Sequence, residues 1–175
     1  DGTPVTGPFN SEMMEDVLMM RAYGIPCGVY WIDRPWGPGR IGYDDFEIDP
    51  KRLPNFAESV KWLNAQQTQM MLWIASFFQG RMEQEAHEKG YTLAGQQPSI
   101  QNYPLADLSN PAAKAYWQSG IEKLLRLGVA GFKLDRGEEQ IPDGGPYKRF
   151  DGKSIRENRN PYVAMFAQAV AEVVA

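Results

Sequence analysis

The sequence has one cysteine, Cys27, and one histidine in 175 residues. It can build neither an internal disulfide nor the paired-cysteine or His-rich spacing of a zinc site. No apolar run approaches the roughly 18 residues that a membrane-spanning helix needs, and no basic stretch followed by an apolar segment opens the chain, so neither a membrane span nor an export signal is expected. Positive charge is not in excess: 18 Lys and Arg stand against 22 Asp and Glu, a net charge of −4. A partner held through phosphates, such as nucleic acid, or through anionic lipid is therefore not expected. There is neither linker nor repeat, because the 17 Gly and 13 Pro fall between periodic segments instead of gathering in one tail. What is present is 43% hydrophobic and 23% charged residues, which excludes disorder and allows one sizeable core, with residues 1–175 read as a single unit.

Hydrophobic periodicity then divides the chain into alternating helices and strands. Ser11 can cap a helix over 11–23, with Glu12 and Glu15 in its first turn, Met14, Val17, Leu18 and Ala22 on one face and Gly24 as its stop. Ile25 to Asp33 is too short for a helix and reads as a buried strand. Residues 34–50 make a long loop in which Asp44, Asp45, Glu47 and Asp49 are expected to be solvated and not metal-bound, since no hard-ion loop pattern appears. Pro54 opens a helix with Phe56, Val60 and Leu63 on one face, and Gln69 to Ser76 is a second strand. Residues 81–89 predict a short solvated helix that includes His87, and 91–104 a turn-rich stretch with a small hairpin. Asn110 and Pro111 start a helix with Trp117, Ile121, Leu124 and Leu125 as its stripe and Gly128 as its end. Val129 to Asp135 is the third strand, and Asn160 and Pro161 open a last helix with Phe166, Val170 and Val173 facing inward.

Strands alternating with helices give the α/β class, with a parallel sheet covered on both faces. A complete (β/α)8 TIM barrel takes about 250 residues, so the chain reads as roughly half of one, lacking the later strands, with open sheet edges that association would cover. Residues two apart in a strand share a face, which places Trp31 with Asp33, Met71 with Trp73 and Ala75, and Lys133 with Asp135. The opposite set, Ile32, Leu72, Ile74, Phe132 and Leu134, is apolar and belongs against the helices. Asp33, Lys133 and Asp135 therefore look toward the barrel interior and its C-terminal mouth, where such folds keep their active sites. A buried charge is costly unless used or paired, so these three are the candidates for chemistry, or else a loop cap and a structural ion pair. Trp31, Trp36 and Trp73 are either core or a platform for a sugar ring. Glu138 and Glu139 follow Asp135 and are read as solvated, and no metal or cofactor is expected.

The segments Gly128 to Glu138, Gly-Val-Ala-Gly-Phe-Lys-Leu-Asp-Arg-Gly-Glu, and Asp107 to Ala112, Asp-Leu-Ser-Asn-Pro-Ala, together resemble glycoside hydrolase family 31, whose members include α-glucosidases, α-xylosidases and α-galactosidases. Upstream, Gly24 to Asp33, Phe46 to Pro54 and Met71 to Ile74 are similar to the family's second and third strands and the helix between them. The Lys-x-Asp-x-Gly-Glu form resembles the α-xylosidase-like branch, while Ala75 and Ser76 stand where many relatives have Asn-Pro. The resemblance implies a retaining α-glycosidase with a carbohydrate substrate, Asp135 as nucleophile, Asp33 as sugar ligand in the cleavage subsite, and Trp73, Lys133 and Trp31 beside it. It also implies an acid/base Asp from a later strand, and nothing after Asp135 resembles its surroundings. Asp143 and Asp151 lie in a Gly-rich loop with no strand end beneath them. Two other readings compete: a non-catalytic sugar-binding half barrel, and a Schiff-base lyase using Lys133.

Overall fold

The computed structural model describes residues 11–93, 104–137, 149–154, 157 and 159–174. In chain order the elements are α1 (Ser11–Ala22), β1 (Val29–Ile32), α2 (Phe56–Ala65), β2 (Gln69–Ala75), α3 (Arg81–Glu88), α4 (Pro111–Arg126), β3 (Gly131–Asp135) and α5 (Arg159–Val174). The three strands form one sheet in the order β1-β2-β3, all parallel, so their C-terminal ends lie on one side. Trp31 pairs with Met71, Trp73 with Lys133, and Ala75 with Asp135. The expected alternation of parallel strands and covering helices is thus the observed architecture.

Local chemistry sets the ends of these elements. Asn110 caps α4, its Oδ1 accepting the N–H of Ala112 at 3.0 Å, and Pro111 sits in the first turn where no donor is missed. Trp117, Ile121 and Leu124 of that helix are buried, as the stripe predicted. Helix α5 packs on α4 through Trp117 and Phe166, whose rings meet edge to face at 5.6 Å. Leu72, Ile74 and Phe132, on the helix-facing side of the sheet, are buried, while His87 on α3 is exposed. The side chains of Ser11 and Arg159, and most of the 91–104 stretch, fall outside the described residues.

Three expectations need correction. The first strand is only four residues long, Val29–Ile32, and it is not buried: Val29 and Trp31 are 46% and 45% exposed. Among the described residues it is the sheet's edge, with β2 on one side only, and Pro26 upstream has no N–H to give to a ladder. Helix α1 buries Met13 and Val17, whereas Leu18 is 48% exposed, so its buried stripe is rotated from the one expected.

The 34–50 loop is also not a solvated run. Asp45 is buried in a left-handed turn (φ 55°), and its carboxylate holds the start of α3, accepting the Met82 N–H at 2.7 Å and the Arg81 Nε at 3.1 Å. Its carbonyl accepts the Lys123 ammonium from α4 at 3.1 Å. Phe46 next to it fills the space left by Gly120, where a Cβ would fall 2.2 Å from the ring. A buried carboxylate is tolerated here because each oxygen has a donor. The loop is therefore a fixed strap across the ends of the strands, with Trp36, Ile41, Tyr43 and Phe46 in the core.

Candidate active site

The C-terminal ends of the three strands bring together most of the residues that alternation singled out. Asp135 closes β3, and its Oδ2 is held twice: by the Lys133 ammonium at 2.7 Å and by the indole N–H of Trp73 at 2.7 Å. Its Oδ1 accepts the backbone N–H of Arg136 at 3.0 Å. Lys133 reaches Asp135 because two residues along a strand return a side chain to the same face. Trp73 reaches it diagonally, since Ala75, directly across from Asp135, presents only a methyl. Arg136 is in left-handed backbone (φ 67°), a conformation that costs energy for a residue with a Cβ and is found at sites where it is functionally held.

Partial burial pushes the Asp135 carboxyl up, but hydrogen bonds from Lys133, Trp73 and the Arg136 N–H, with the Lys133 charge, outweigh it and hold the group below the usual aspartate range. A carboxyl whose pKa is depressed by folding contributes stability above its unfolded pKa and loses that contribution as the pH falls through the folded value. Lys133→Met removes the cation and one hydrogen bond, so the titration midpoint of Asp135, followed by its carboxyl carbon resonance, is expected to rise. A midpoint that stays put would mean that Lys133 does not hold this group.

Trp73 is 2% exposed and fixed from several directions. The Trp36 indole N–H donates to its carbonyl at 2.8 Å, Tyr43 meets its ring edge to face at 5.5 Å, and the Arg34 guanidinium lies 5.4 Å from its centroid. Trp36 is fully buried and belongs to the core, which separates it from the sugar-platform reading. Trp31, in contrast, is open at the sheet's edge, and the Lys133 ammonium sits 5.7 Å from its ring centroid. Asp33 is exposed at the residue after β1, at the same end of the sheet, and its Oδ1 accepts the backbone N–H of Arg34 at 2.8 Å. Among the described residues that is its only hydrogen bond, so the loop-cap geometry is present while its other oxygen is open to a ligand.

Sequence reasoning missed Arg34 and Tyr43. Both come from the strap, and the one available signal was an Arg immediately after the acidic end of a strand. Asp151 is engaged by Arg149 through a two-point ion pair, with Nε to Oδ1 at 2.9 Å, and the neighbouring Phe150 N–H donates to Asp107 at 2.7 Å. Glu138, Glu139 and Asp143 lie outside the described residues. Among the described residues, no group of three or more His, Cys, Asp or Glu gathers as a metal site. The arrangement offers an ionised carboxylate, fixed by a cation and an indole, at the mouth of a parallel α/β sheet beside an exposed aromatic face.

Comparison with known proteins gives the same fold. The α-xylosidase XylQ of Lactiplantibacillus pentosus is 27% identical over 99% of this chain, which spans 24% of that protein. A family 31 α-xylosidase from a soil metagenome, solved with xylose, superposes with a TM-score of 0.80 at 24% identity, covering 93% of this chain and 25% of that one. The dextranase of Flavobacterium johnsoniae, solved with glucose, gives 0.82 at 22% identity, covering 93% of this chain and 22% of that one. The chain thus spans about a quarter of the length of these relatives. The model of the glycosyl hydrolases family 31 TIM-barrel domain matches residues 9–175, nearly the whole sequence, and the chain belongs to that family.

Proposed function

We propose that the chain is part of the catalytic barrel of a retaining glycosidase that cleaves α-linked sugars, with Asp135 as its nucleophile. The observation that carries this reading is the setting of Asp135: a carboxylate kept ionised by Lys133 and Trp73 at the C-terminal end of a barrel strand. One of its oxygens forms a bond to the anomeric carbon as the bond to the leaving oxygen breaks. A second carboxyl group, from a part of the barrel beyond these residues, gives that oxygen its proton. Water then cleaves the glycosyl-aspartate ester, with the second group taking the water's proton. Asp33 accepts hydrogen bonds from the sugar's hydroxyls, and Trp31, Trp73 and Lys133 line the subsite. The names of similar proteins, α-xylosidases and a dextranase, support a carbohydrate substrate. Residues 1–175 alone would hydrolyse poorly, since general acid help is worth about 10²- to 10⁴-fold.

Lys133 is committed to a contact ion pair with Asp135, which argues against its use as a Schiff-base nucleophile. A slow fluorinated α-glycoside, incubated with the intact enzyme and followed by peptide mapping, is expected to leave its sugar on Asp135. A label on another residue would remove Asp135 from its role. Sugar binding with neither label nor turnover would favour a non-catalytic barrel instead.

A further inference from the structure

A tryptophan on the strap is linked to Asp135 through two successive hydrogen bonds. Trp36 donates its indole N–H to the Trp73 carbonyl at 2.8 Å, and Trp73 donates its own indole N–H to Asp135 Oδ2 at 2.7 Å. Both tryptophans are buried. The first bond follows from how the sheet ends. In a strand the N–H and C=O of one residue point to the same neighbouring strand, and successive residues alternate between the two neighbours. Gln69 donates to Gly28 on the β1 side, and Met70 accepts from Ala130 on the β3 side. The odd-numbered residues of β2 therefore face β1, and the Trp73 carbonyl is among them.

Strand β1 stops at Ile32, opposite Leu72, whereas β2 stays paired with β3 as far as Ala75 and Asp135. The backbone donor next in line, the N–H of Arg34, goes to Asp33 Oδ1 instead. The Trp73 carbonyl thus loses its strand partner in the interior, where an unmet acceptor is costly. The Trp36 indole takes the place of the missing rung. It is a stiff replacement, because the Trp36 N–H donates to the Gly42 carbonyl at 3.0 Å and the Trp36 carbonyl accepts the Asp49 N–H at 3.1 Å. The Tyr43 ring packs against both indoles, 6.1 Å from that of Trp36 and 5.5 Å from that of Trp73.

We infer that Trp36 is a positioning residue for Asp135: by holding the Trp73 backbone, it sets where the Trp73 indole N–H meets the carboxylate. The inference rests on the glycosidase reading above for its catalytic meaning and adds a residue to the machinery of that site. Trp36 acts only through Trp73, and this dependence is what the test reads.

The intact wild-type enzyme is compared with Trp36→Phe and with a protein carrying benzothienylalanine at position 36, which keeps the bicyclic shape and lacks the N–H. Each change is also made in a Trp73→Phe background. The α-fluorides of xylose, glucose and galactose serve as substrates, and kcat/KM is followed against pH. Loss of the Trp36 donor is expected to lower kcat/KM about 3- to 10-fold, the worth of one hydrogen bond. Its acidic limb is expected to move to higher pH, because Asp135 must be ionised to attack and loses hydrogen bonding that favours that state. In the Trp73→Phe background the same change moves neither quantity further. Lost stability alone would lower the melting temperature and leave the limb in place. An unmoved limb therefore overturns the inference, as does an equal shift with and without the Trp73 indole. If Trp36→Phe does not fold, the benzothienylalanine protein, whose ring fills the same space, decides alone. If wild type cleaves none of the fluorides, the glycosidase reading is what fails, and titration of the Asp135 carboxyl carbon resonance decides the positioning separately. A midpoint raised by benzothienylalanine only while Trp73 is present upholds it, and an unmoved midpoint overturns it.

Discussion

Asp135→Asn lowers kcat by about four orders of magnitude or more while leaving sugar affinity within a few-fold. The amide keeps the shape and can still accept from the Trp73 indole, but it loses the charge that Lys133 pairs with and cannot form the ester that retaining hydrolysis passes through. Asp33→Asn has a different signature. It weakens binding and rate together, because Asp33 is proposed to hold the sugar through hydrogen bonds and does no covalent work. Steady-state kinetics with binding measured separately on each variant distinguishes the two. An Asp135→Asn enzyme with near-normal kcat, or an Asp33→Asn enzyme with unchanged affinity, would refute the respective role.

Gly42→Ala lowers the melting temperature by about 6 to 12 °C, from a loss of about 3 kcal/mol spread over a chain of this size. Two costs coincide at Gly42. Its backbone is left-handed (φ 87°), and a Cβ there would stand 2.0 Å from Cβ and 2.4 Å from Cα of Pro35. Backbone cannot rotate away as a side chain does. The carbonyl of Gly42 also receives the N–H groups of Trp36 and Gly37, at 3.0 and 2.7 Å, so the loss reaches the indole that fixes Trp73. Gly90→Ala is the comparison: its φ is 66°, yet nothing lies within 4 Å of its would-be Cβ, so it pays the conformational cost alone. Thermal unfolding that shows equal effects for both variants would mean that the contact with Pro35 contributes nothing.

The parts of the fold that follow from short-range periodicity were legible in the sequence. Strand alternation put Trp73, Lys133 and Asp135 on one face, and the register brings the first two onto the third. The Asn110-Pro111 start of α4 needs only local capping chemistry. What escaped depends on distant neighbours. The Val29–Ile32 strand has the composition of a buried strand, and only its place at the sheet's edge exposes Trp31. Asp45 sits among acids that composition assigns to water, yet its donors come from Arg81 and Met82 across the fold, a pairing no local pattern encodes. Arg34 was overlooked because its contact, the Trp73 ring beneath it, is distant in the chain.

The two sides of the sheet carry separate duties, and this division governs how the site can change over evolutionary time. One side, with Leu72, Ile74 and Phe132, is locked into packing with the helices, and substitution there endangers the fold. The other ends in single groups, each delivered by a different strand: Asp33 and Arg34 after β1, Trp73 from β2, Asp135 from β3. A lineage can exchange the residue at position 34 without disturbing the helix-facing layer or the strand that holds Asp135. The lining of the mouth can therefore change at one strand end while the Lys133–Asp135 pair is kept at another.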